Sequence, residues 1–297
     1  MTEAHIGLIG VGMMGLGIAS NLARKGQRLT VMEHAGNQPL DSLRVLGVDS
    51  VDSPRALAQV SDIVILCVSA SPQVEAILAG PQGLLAGIRA GSLVIDCSTS
   101  LPESTLRVAA QVRAAGARFV DSPMTRTPKE AAEGRLNLLV GGDAPDVAQC
   151  RPILECFAEN ITHVGPVGAG HQMKLLHNFV SLGSVALIAE AAACARDAGI
   201  GDEVFVDVLG KGGGWGAALE RVKPYLLSGD NSAIRFSLAN ARKDVDYFRQ
   251  MAIAQSAAHQ IADGVFATLD TACDKGDPQG MVLQLVDLLA RNSQAKA

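Results

Sequence analysis

A glycine-rich turn near the N-terminus constrains the fold of this chain more than any other stretch. Residues 5–9 form a short apolar run that leads into the sequence GVGMMG at residues 10–15. A segment compatible with a helix continues to residue 26, and residues 29–32 form a second apolar run. The order strand, GxGxxG turn, helix, strand is that of a dinucleotide-binding βαβ unit. The N-terminus therefore predicts an α/β domain with a parallel sheet.

Each position of the turn has a role in binding the pyrophosphate of a dinucleotide. Gly10 permits the tight turn, Gly12 lets the backbone approach the phosphates, and Gly15 lets the helix lie close to the strand. Met13 and Met14 lie between Gly12 and Gly15, and the unbonded N–H groups and the positive end of the helix that follows the turn attract anions. We therefore expect these five residues to bind the cofactor.

The acidic residue at the end of the second strand bears on which dinucleotide binds. Glu33 follows the turn at roughly the twenty-residue distance typical of the carboxylate that binds ribose hydroxyls. A carboxylate there accepts a hydrogen bond from the 2′-hydroxyl of NAD and repels the 2′-phosphate of NADP. His34 would offset part of that repulsion if protonated, but residues 33–37 contain no arginine. We predict NAD as the cofactor, with NADP less favoured, and contacts from both Glu33 and His34.

Alternation of strand-like and helical segments continues to about residue 165. The runs IVILCV at residues 63–68 and LVIDC at residues 93–97 are almost wholly apolar, which is typical of parallel strands buried on both faces. Ligands of such sheets bind beyond the carboxyl ends of the strands, so Val68, Ser69 and Thr99 are expected to contact the cofactor. Ser69 and Thr99 also come shortly before prolines, and capping of the following helices is the alternative role.

A polar loop bounded by prolines follows the next strand-like run and should line the same crevice. Residues 122–129 read SPMTRTPK, with Thr125, Arg126 and Thr127 as the polar centre. The guanidinium of Arg126 suits bidentate binding of a carboxylate, sulfonate or phosphate. A solvated surface arginine is the alternative at this position. We predict that the three residues contact an anionic substrate.

The longest helical pattern of the chain runs from residue 165 to residue 199. It starts in a glycine-rich turn, stays largely apolar and ends at Gly199, a residue common after helix C-termini. Lys174, Asn178 and Ser181 follow i, i+4, i+7 spacing and share one face. A helix of roughly thirty residues is about 45 Å long, more than one small domain requires. We therefore expect one helix that serves two domains.

The remainder of the chain reads as helices joined by short loops that contain glycine, without strand-like alternation. The predicted architecture is a Rossmann-type doubly wound α/β domain at residues 1–164 and an all-α domain at residues 165–297, joined by the long helix. The default active site of such a pair is the cleft between the domains.

Composition excludes several classes of protein. The net charge is −5 and no run of lysine and arginine is interleaved with aromatics, so a nucleic-acid partner is not expected. The six cysteines contain no CxxC pair and the six histidines no HExxH spacing, so we expect reduced thiols and no metal. The uncharged part of the long helix is too short to span a bilayer, and no secretory signal is visible. We predict a cytoplasmic protein without a membrane partner.

Five segments together resemble one enzyme family. They are residues 7–26, 96–99, 121–129, 168–178 and 243–244. In this order they resemble the β-hydroxyacid dehydrogenases, the family of 3-hydroxyisobutyrate dehydrogenase and tartronate semialdehyde reductase, over essentially the whole chain. The GxGxxxKxxxN pattern formed by Gly168, Gly170, Lys174 and Asn178 is far more specific than an isolated GxGxxG.

The resemblance implies a hydride transfer between C4 of a nicotinamide and a carbinol carbon of the substrate. Lys174 would exchange the proton of the substrate hydroxyl, Asn178 would orient the hydroxyl or carboxylate, and Lys243 would contact substrate or nicotinamide. A lysine can act in this way only if its pKa is lowered, as in a closed apolar cleft beside a cationic nicotinamide. Taken without the family pattern, a lysine on a helix is usually a solvated charge.

The polar loop departs from the pattern of most family members. Most carry Ser-Gly-Gly after the Pro-Val that corresponds to Pro123-Met124, whereas this chain has Thr125-Arg126-Thr127. That loop is more similar to the Gly-Arg-Thr variant of 3-sulfolactaldehyde reductase, in which the arginine region meets a sulfonate. A side chain at residue 125 narrows the loop, so the acid group of the substrate stays open among sulfonate, carboxylate and phosphate.

The leading prediction is an NAD-dependent dehydrogenase or reductase that acts on CH–OH groups, with a short 3-hydroxy acid, a hydroxysulfonate or the aldehyde as substrate. Imine reductases share the architecture but usually lack the lysine at this helix position, and a non-catalytic nucleotide-binding relative can also lose it. Lys174 thus favours alcohol or aldehyde chemistry over both alternatives. Long apolar helices often need burial beyond one small domain, so we also expect a homodimer or homotetramer.

Overall fold

The computed structural model describes residues 4–294, with side chains described for residues 4–290. The chain divides into two compact units, residues 1–174 and 175–297. The division falls inside the long helix, whereas the sequence analysis placed the domain boundary between residues 164 and 165. The first part of the helix therefore belongs to the first unit.

In the described part of the first unit, nine strands form one sheet. They are β1 (Ile6–Ile9), β2 (Leu29–Met32), β3 (Asp49–Val51), β4 (Ile63–Leu66), β5 (Leu93–Asp96), β6 (Arg118–Asp121), β7 (Met124–Thr125), β8 (Leu136–Gly141) and β9 (Ala158–Gly165). The strand order is β3-β2-β1-β4-β5-β6-β8-β7, and β9 pairs with β8. Strands β1 to β6 pair in parallel, β8 runs antiparallel to β6 and β7, and β9 runs parallel to β8.

The sheet reverses its direction of growth next to β1. From β1 the chain adds β2 and β3 on one side, then returns to place β4, β5 and β6 on the other side. Ligands of doubly wound sheets bind in the crevice beyond the carboxyl ends of the strands at such a reversal. The predicted Rossmann-type fold is confirmed, and the crevice is the place to look for a dinucleotide site.

Alternate positions of the strands pack into two separate apolar cores, one on each face of the sheet. Ile65 and Ile95 belong to one core, whereas Val64, Leu66 and Val94 belong to the other. Burial on both faces explains why these strands read as continuous apolar runs rather than as alternating patterns.

Helices connect the strands of the first unit. They are α1 (Met13–Arg24), α2 (Asp41–Val45), α3 (Pro54–Val60), α4 (Ser71–Leu78), α5 (Pro102–Ala114), α6 (Pro128–Glu133) and α7 (Ala144–Leu154). The long helix α8 (Ala169–Asp197) follows β9 and contains 29 residues. It starts after the predicted glycine turn and ends two residues before Gly199, so the prediction of one long helix is confirmed.

Beyond α8, the described part of the second unit is helical. It contains α9 (Asp202–Gly210), α10 (Ala217–Ser228), α11 (Leu238–Ala254), α12 (Gln260–Lys275) and α13 (Leu285–Gln294). Leu182, Leu219, Val245 and Leu283 are among the side chains of its own apolar core. The predicted all-α domain is confirmed. Helix α11 ends at Ala254, two residues before Ser256, which takes a left-handed φ of 53°.

Among the described residues, α8 is the one helix that is long and apolar enough to cross a membrane by length and composition alone. Half of its most apolar 18-residue window is buried inside the protein, and one such helix is weak evidence for a membrane span. Its length and composition therefore carry little weight as a sign of a membrane span.

Candidate functional site

The glycine turn after β1 has the conformation that its sequence requires. Gly10 has a φ of 98°, in the left-handed region, and a Cβ there would lie 2.2 Å from the carbonyl oxygen of Cys67. A Cβ at Gly15 would lie 1.9 Å from the carbonyl oxygen of Gly10. Gly12 differs, since in the described structure no atom beyond its two chain neighbours lies within 4 Å of the position that a Cβ would take. The backbone thus packs too closely for a side chain at Gly10 and Gly15, whereas open space lies beside Gly12.

Helix α1 begins directly at this open position. Gly12 is its N-cap, no side chain caps its first turn, and that turn contains no acidic residue. The first amides and the positive end of the helix are therefore directed at the open space beside Gly12. This arrangement fits the pyrophosphate of a dinucleotide, and the five residues predicted to bind it, Gly10, Gly12, Met13, Met14 and Gly15, lie at this turn.

Glu33 at the end of β2 borders a cavity of about 350 Å³, which His34, Asn37 and Arg44 also line. Its Oε1 accepts hydrogen bonds from Oγ of Ser50 at 2.7 Å and from Nη2 of Arg44 at 2.9 Å. These bonds, the one from Ser50 first, lower the pKa of Glu33 below its ordinary value. Both bonds use one oxygen, so Oε2 keeps its capacity to accept a hydrogen bond from a ribose hydroxyl.

The guanidinium of Arg44 places a positive charge beside Glu33. Nδ1 of His34 accepts a hydrogen bond from the amide of Gly36 at 3.0 Å. Arg44 lies on α2, outside the segment 33–37, which contains no arginine. Helix α2 brings it back to the end of β2, where it forms an ion pair with Glu33.

The residues predicted at the ends of β4 and β5 lie at the carboxyl edge of the sheet. The amide of Val68 donates a hydrogen bond to Oγ of Ser98 at 3.1 Å. This bond links the segment after β4 to the segment after β5. The N-caps of α4 and α5 are Ala70 and Leu101, so Ser69 and Thr99 do not cap these helices. Ser69 is exposed and Thr99 is half-buried. The alternative role of Ser69 and Thr99 as helix N-caps is therefore excluded, and their contact with the cofactor stays a prediction.

Arg126 in the polar loop is paired within the first unit. It has a φ of 81°, in the left-handed region that favours glycine. Its Nη1 donates to the carbonyl oxygen of Arg135 and to Oε2 of Glu159. The bond from Arg126 lowers the pKa of Glu159. The guanidinium thus has a counter-ion, with which an anionic substrate would have to compete.

The two threonines of the same loop also make structural bonds. Thr125 is buried on β7 and pairs with Asn137 of β8. Thr127 caps α6 in a capping box, since its hydroxyl accepts from the amide of Lys129 at 3.3 Å and its own amide donates to Oε2 of Glu130 at 3.0 Å. The loop predicted to meet the substrate is therefore held in place by its own polar groups.

The N-terminus of α8 is bonded to the end of β6. Asp121 is fully buried and accepts hydrogen bonds from the amides of Gly168 at 2.7 Å and of His171 at 2.8 Å. Burial raises the pKa of Asp121, while His171 and the two amides act to lower it. Gly170 passes so close to the sheet that a Cβ would lie 2.4 Å from the carbonyl oxygen of Leu139. The glycines of the GxGxxxKxxxN pattern thus form the contact between helix and sheet.

The lysine and asparagine of that pattern follow on α8. Lys174 is half-buried and is the last residue of the first unit, whereas Asn178 is buried and belongs to the second. Nδ2 of Asn178 donates to Oδ2 of Asp244 at 2.6 Å, and its Oδ1 lies 3.0 Å from Nδ1 of His177. Nζ of Lys243 lies 2.8 Å from Oδ1 of the same aspartate. Asp244 therefore brings together the two predicted substrate residues of the second unit.

Three residues of this arrangement carry no role predicted from the sequence: Arg44, Ser50 and Asp244. Arg44 and Ser50 contact Glu33 because the fold places α2 and β3 beside the end of β2. No local sequence pattern predicts this placement. Asp244 had a signal, since it adjoins Lys243 in the segment 243–244 that resembles the enzyme family, but its partner Asn178 lies 66 residues away.

The cysteines are unpaired thiols, and most are buried. Burial raises the pKa of Cys67 to about 12 and the pKa of Cys97 well above its ordinary value. Such thiols stay protonated and unreactive at neutral pH. Within the described part of the chain, no group of three or more His, Cys, Asp or Glu side chains could hold a metal ion.

Two sequence families match the two parts of this arrangement. Residues 5–165 match the NAD-binding domain of 6-phosphogluconate dehydrogenase, and residues 168–289 match the NAD-binding family of NADP-dependent 3-hydroxyisobutyrate dehydrogenase. The chain belongs to the β-hydroxyacid dehydrogenase family. Members of this family are NAD(P)-dependent oxidoreductases that act on the CH–OH groups of small hydroxy acids. The resemblance seen in the sequence is thereby confirmed.

The similarity to named β-hydroxyacid dehydrogenases extends over most of this chain. The chain is 34% identical to the NAD-dependent L-serine dehydrogenase of Pseudomonas aeruginosa over 221 residues, and these residues are 74% of this chain and 74% of that one. It is 32% identical over 243 residues to the 3-sulfolactaldehyde reductase of Escherichia coli, 82% of this chain and 81% of that one. A structure of Mycobacterium tuberculosis 3-hydroxyisobutyrate dehydrogenase with L-serine has a TM-score of 0.84 at 25% identity, covering 97% and 99% of the chains. These relatives carry the names of different small hydroxy compounds, and the family includes both NAD and NADP enzymes.

Proposed function

We propose that this enzyme interconverts a short 3-hydroxy acid, or a hydroxysulfonate, and the corresponding aldehyde, with NAD as cofactor and Lys174 as proton relay. One observation carries the proposal. The helix of Lys174 is bonded through Asp121 to the carboxyl end of β6, at the same sheet edge where β1 opens into the glycine turn. This edge is where ligands of doubly wound sheets bind.

Lys174 is proposed to move the proton of the substrate hydroxyl. The nicotinamide, when bound, supplies the hydride acceptor for oxidation and the hydride donor for reduction. Lys174 takes the hydroxyl proton as the carbinol is oxidised and returns it in the reverse direction. An ammonium group cannot accept a proton, so oxidation requires neutral Lys174 and reduction requires the charged form. Asn178 and Lys243, both held by Asp244, are proposed to bind the polar groups of the substrate.

Glu33 supports a preference for NAD. Ser50 and Arg44 keep its carboxylate ionised, and an ionised carboxylate accepts a hydrogen bond from a 2′-hydroxyl but repels a 2′-phosphate. Arg44 neutralises part of that repulsion, since its Nη2 lies 2.9 Å from Glu33 Oε1. We therefore propose a preference for NAD rather than an exclusion of NADP.

The loop Thr125-Arg126-Thr127 is proposed to contact the acid group of the substrate. Arg126 provides the charge that would bind a carboxylate, sulfonate or phosphate. Because Glu159 and a carbonyl oxygen share Nη1, a substrate anion would use the other guanidinium donors or displace Glu159. The similarity to 3-sulfolactaldehyde reductase supports including hydroxysulfonates among the candidate substrates.

The proposed enzyme is a cytoplasmic homodimer or homotetramer that binds neither nucleic acid nor membrane. Val180 and Leu187 on α8 are 66% and 72% exposed and lie about two helical turns apart on one face. Apolar side chains in such a row are typical of a surface that a second copy covers.

The test is a substrate panel assayed with NAD and with NADP at alkaline pH. The panel pairs 2,3-dihydroxypropanesulfonate with 3,4-dihydroxybutanoate, which differ only in the acid group, and adds 3-hydroxyisobutyrate and L-serine. We expect hydride transfer to NAD from at least one member, with a kcat/KM about tenfold or more above that with NADP. Failure of every member to reduce either cofactor would reject the substrate class, and a preference for NADP would reject the role of Glu33.

A further inference from the structure

A buried histidine near Lys174 has no role in the function proposed above. His171 is fully buried on α8. Its Nδ1 lies 2.8 Å from Oγ1 of Thr105 on α5, and its Nε2 lies 3.1 Å from the carbonyl oxygen of Ser98, just beyond β5. Its backbone amide donates to Asp121 at the end of β6. One residue of α8 is thus bonded to three other elements of the first unit.

These partners fix the orientation of the His171 ring. A carbonyl oxygen can only accept, so Nε2 must carry the proton in the bond to Ser98. The hydroxyl of Thr105 lies 3.1 Å from the carbonyl oxygen of Leu101, and it donates either to that oxygen or to Nδ1 of the ring. Both arrangements keep the proton on Nε2, so both hold the ring against the end of β5.

Two buried carboxylates face the same ring. Oδ2 of Asp96 lies 3.9 Å from Nε2 of His171, and Oδ2 of Asp121 lies 3.7 Å from Nδ1. Within the described structure, Oδ2 of Asp96 is buried and makes no hydrogen bond. Burying a carboxylate is costly unless polar groups surround it. The imidazole is thus a polar group within 4 Å of both Asp96 on β5 and Asp121 on β6, at the place where the helix meets the sheet.

We propose that His171 is a positioning residue for Lys174. Lys174 lies three residues further along α8, which is about 4.5 Å of helix rise and close to one turn. The ring contacts to Thr105 of α5 and to Ser98 just beyond β5 oppose both sliding and rotation of this part of the helix. The backbone bond to Asp121 of β6 adds to them and does not depend on the side chain. Gly170 packs closely against the sheet, since a Cβ there would lie only 2.7 Å from Oδ2 of Asp121. The helix therefore cannot move closer to the sheet at this point. The inference rests on the proposed role of Lys174 as proton relay.

The first experiment compares two substitutions of the ring. His171→Leu removes both ring nitrogens, whereas His171→Gln keeps an amide N–H close to the position of Nε2. A misplacement of about 1 Å at a reacting group costs about 100-fold in rate, so we expect His171→Leu to lower kcat roughly 10- to 100-fold. The Kd of NAD should change less than about twofold, because the glycine turn is untouched, and His171→Gln should recover most of kcat. A kcat of the Leu variant equal to that of the parent would overturn the proposal.

A second pair covers the case in which His171→Leu fails to fold. Thr105→Val removes the hydroxyl that the ring contacts with little change in volume, and Thr105→Ser keeps it. The proposal requires a lower kcat for the Val variant and a nearly unchanged kcat for the Ser variant. Equal values for the two variants would contradict it.

A double-mutant cycle separates action through Lys174 from an independent effect. In a Lys174→Ala background, His171→Leu should lower the remaining rate by less than about twofold, because the group that it positions is gone. A further 10- to 100-fold loss there would show that His171 does not act through Lys174. If Lys174→Ala alone keeps normal turnover, the proposed function fails instead, so the two failures can be told apart.

His5 provides a matched control for the loss of a buried histidine. Its Nε2 lies 2.9 Å from Oγ1 of Thr30, but it precedes β1 at the opposite edge of the sheet. His5→Leu should lower Tm and leave kcat unchanged. If His171→Leu behaves in the same way, with a lower Tm and an unchanged kcat, its role is structural only and the proposal is wrong.

Discussion

At the scale of single residues, the site depends on side chains whose partners are distant in sequence. Glu33 is held by Arg44 and Ser50, and Asn178 is held by Asp244. Glu33 and Asn178 are both predicted to contact a ligand. Glu33 is a carboxylate held by two donors, and Asn178 is a donor held by a carboxylate. Both carboxylates can be tested separately from the chemistry of Lys174.

Glu33 gives a prediction for pH. Its pKa lies below the ordinary 4.5 because Ser50 and Arg44 bond to the ionised form. A group with a lowered pKa makes its contribution above that pKa and loses it only as the pH falls through it. The Kd of NAD, measured by calorimetric titration, should therefore stay nearly constant from about pH 6 to about pH 9.

The matching variant removes the charge and keeps the shape. Glu33→Gln should weaken NAD binding about tenfold, the loss expected for one hydrogen bond to a charged group. Glu103→Gln is the control, because Glu103 is exposed on α5 and pairs with Arg107. An unchanged Kd in Glu33→Gln would remove Glu33 from the cofactor site.

Asp244 is expected to affect the substrate and not the cofactor. Asp244→Asn keeps the size of the side chain but removes the charge that pairs with Lys243 and the carboxylate that accepts from Asn178. A charged hydrogen bond contributes about 1.5–3 kcal/mol, so kcat/KM should fall roughly 10- to 100-fold at an unchanged Kd of NAD. Asp246→Asn, on the same helix and paired with Arg249, should leave both quantities unchanged. Equal kinetics of the two variants would contradict the role of Asp244.

At the scale of elements, the candidate site includes the N-termini of two helices. Helix α1 starts at Gly12 in open space, whereas α8 starts against the sheet at Gly168 and Gly170. The first arrangement leaves room for a ligand, and the second fixes the helix that carries Lys174. In the GxGxxG turn, Gly12 leaves space for a ligand. In the GxGxxxKxxxN pattern, Gly170 allows close packing of helix and sheet.

Three alanine substitutions test this difference. Gly12→Ala should leave Tm unchanged and raise the Kd of NAD, because the new methyl group occupies open space that the phosphates need. Gly170→Ala should destabilise the fold by about 1–3 kcal/mol or more, since its Cβ would lie 2.4 Å from a carbonyl oxygen. Gly183→Ala on the same helix meets nothing closer than 3.7 Å and should raise stability by up to about 1 kcal/mol. Thermal denaturation together with NAD titration checks all three, and a stable Gly170→Ala variant would contradict the close contact.

Elements with a strong local pattern were predictable from the sequence, while pairings between elements were not. The glycine turn of β1 and α1 and the 29-residue helix α8 each have a pattern that needs no distant partner. Strand β7 has two residues, too few for a hydropathy pattern. The pairing of Arg126 with Glu159 joins residues 33 positions apart, and the sequence analysis considered only substrate or solvent as partners of this arginine. Such contacts follow from the path of the chain in three dimensions, which local spacing does not determine.

At the scale of the whole molecule, the chain consists of two compact units that share one helix. The α/β unit carries most of the residues predicted to bind the cofactor, and the all-α unit carries Asn178, Asp244 and Lys243. The family assignment extends over both units, through residues 5–165 and 168–289. Both are therefore expected in any active form of the enzyme.

The proposed association of copies is tested on α8. Light scattering should give a dimer or tetramer for the parent protein, and the double substitution Val180→Glu with Leu187→Glu should shift it toward monomer, because two charges on one apolar face oppose association. Val45→Glu in the first unit is the control, since Val45 is 88% exposed on α2. A monomeric parent protein would contradict the association, and a double variant with the parent mass would place the interface elsewhere.

The central claim is that Lys174 relays the proton of the hydride-transfer reaction. The most direct measurement is kcat of Lys174→Ala with the best substrate of the panel, beside the Kd of NAD, with exposed Lys25→Ala as control. General acid–base groups contribute about 10²- to 10⁴-fold, so we predict a loss of that size in kcat for Lys174→Ala with an NAD Kd within about twofold of the parent. Near-normal turnover of Lys174→Ala would contradict the account.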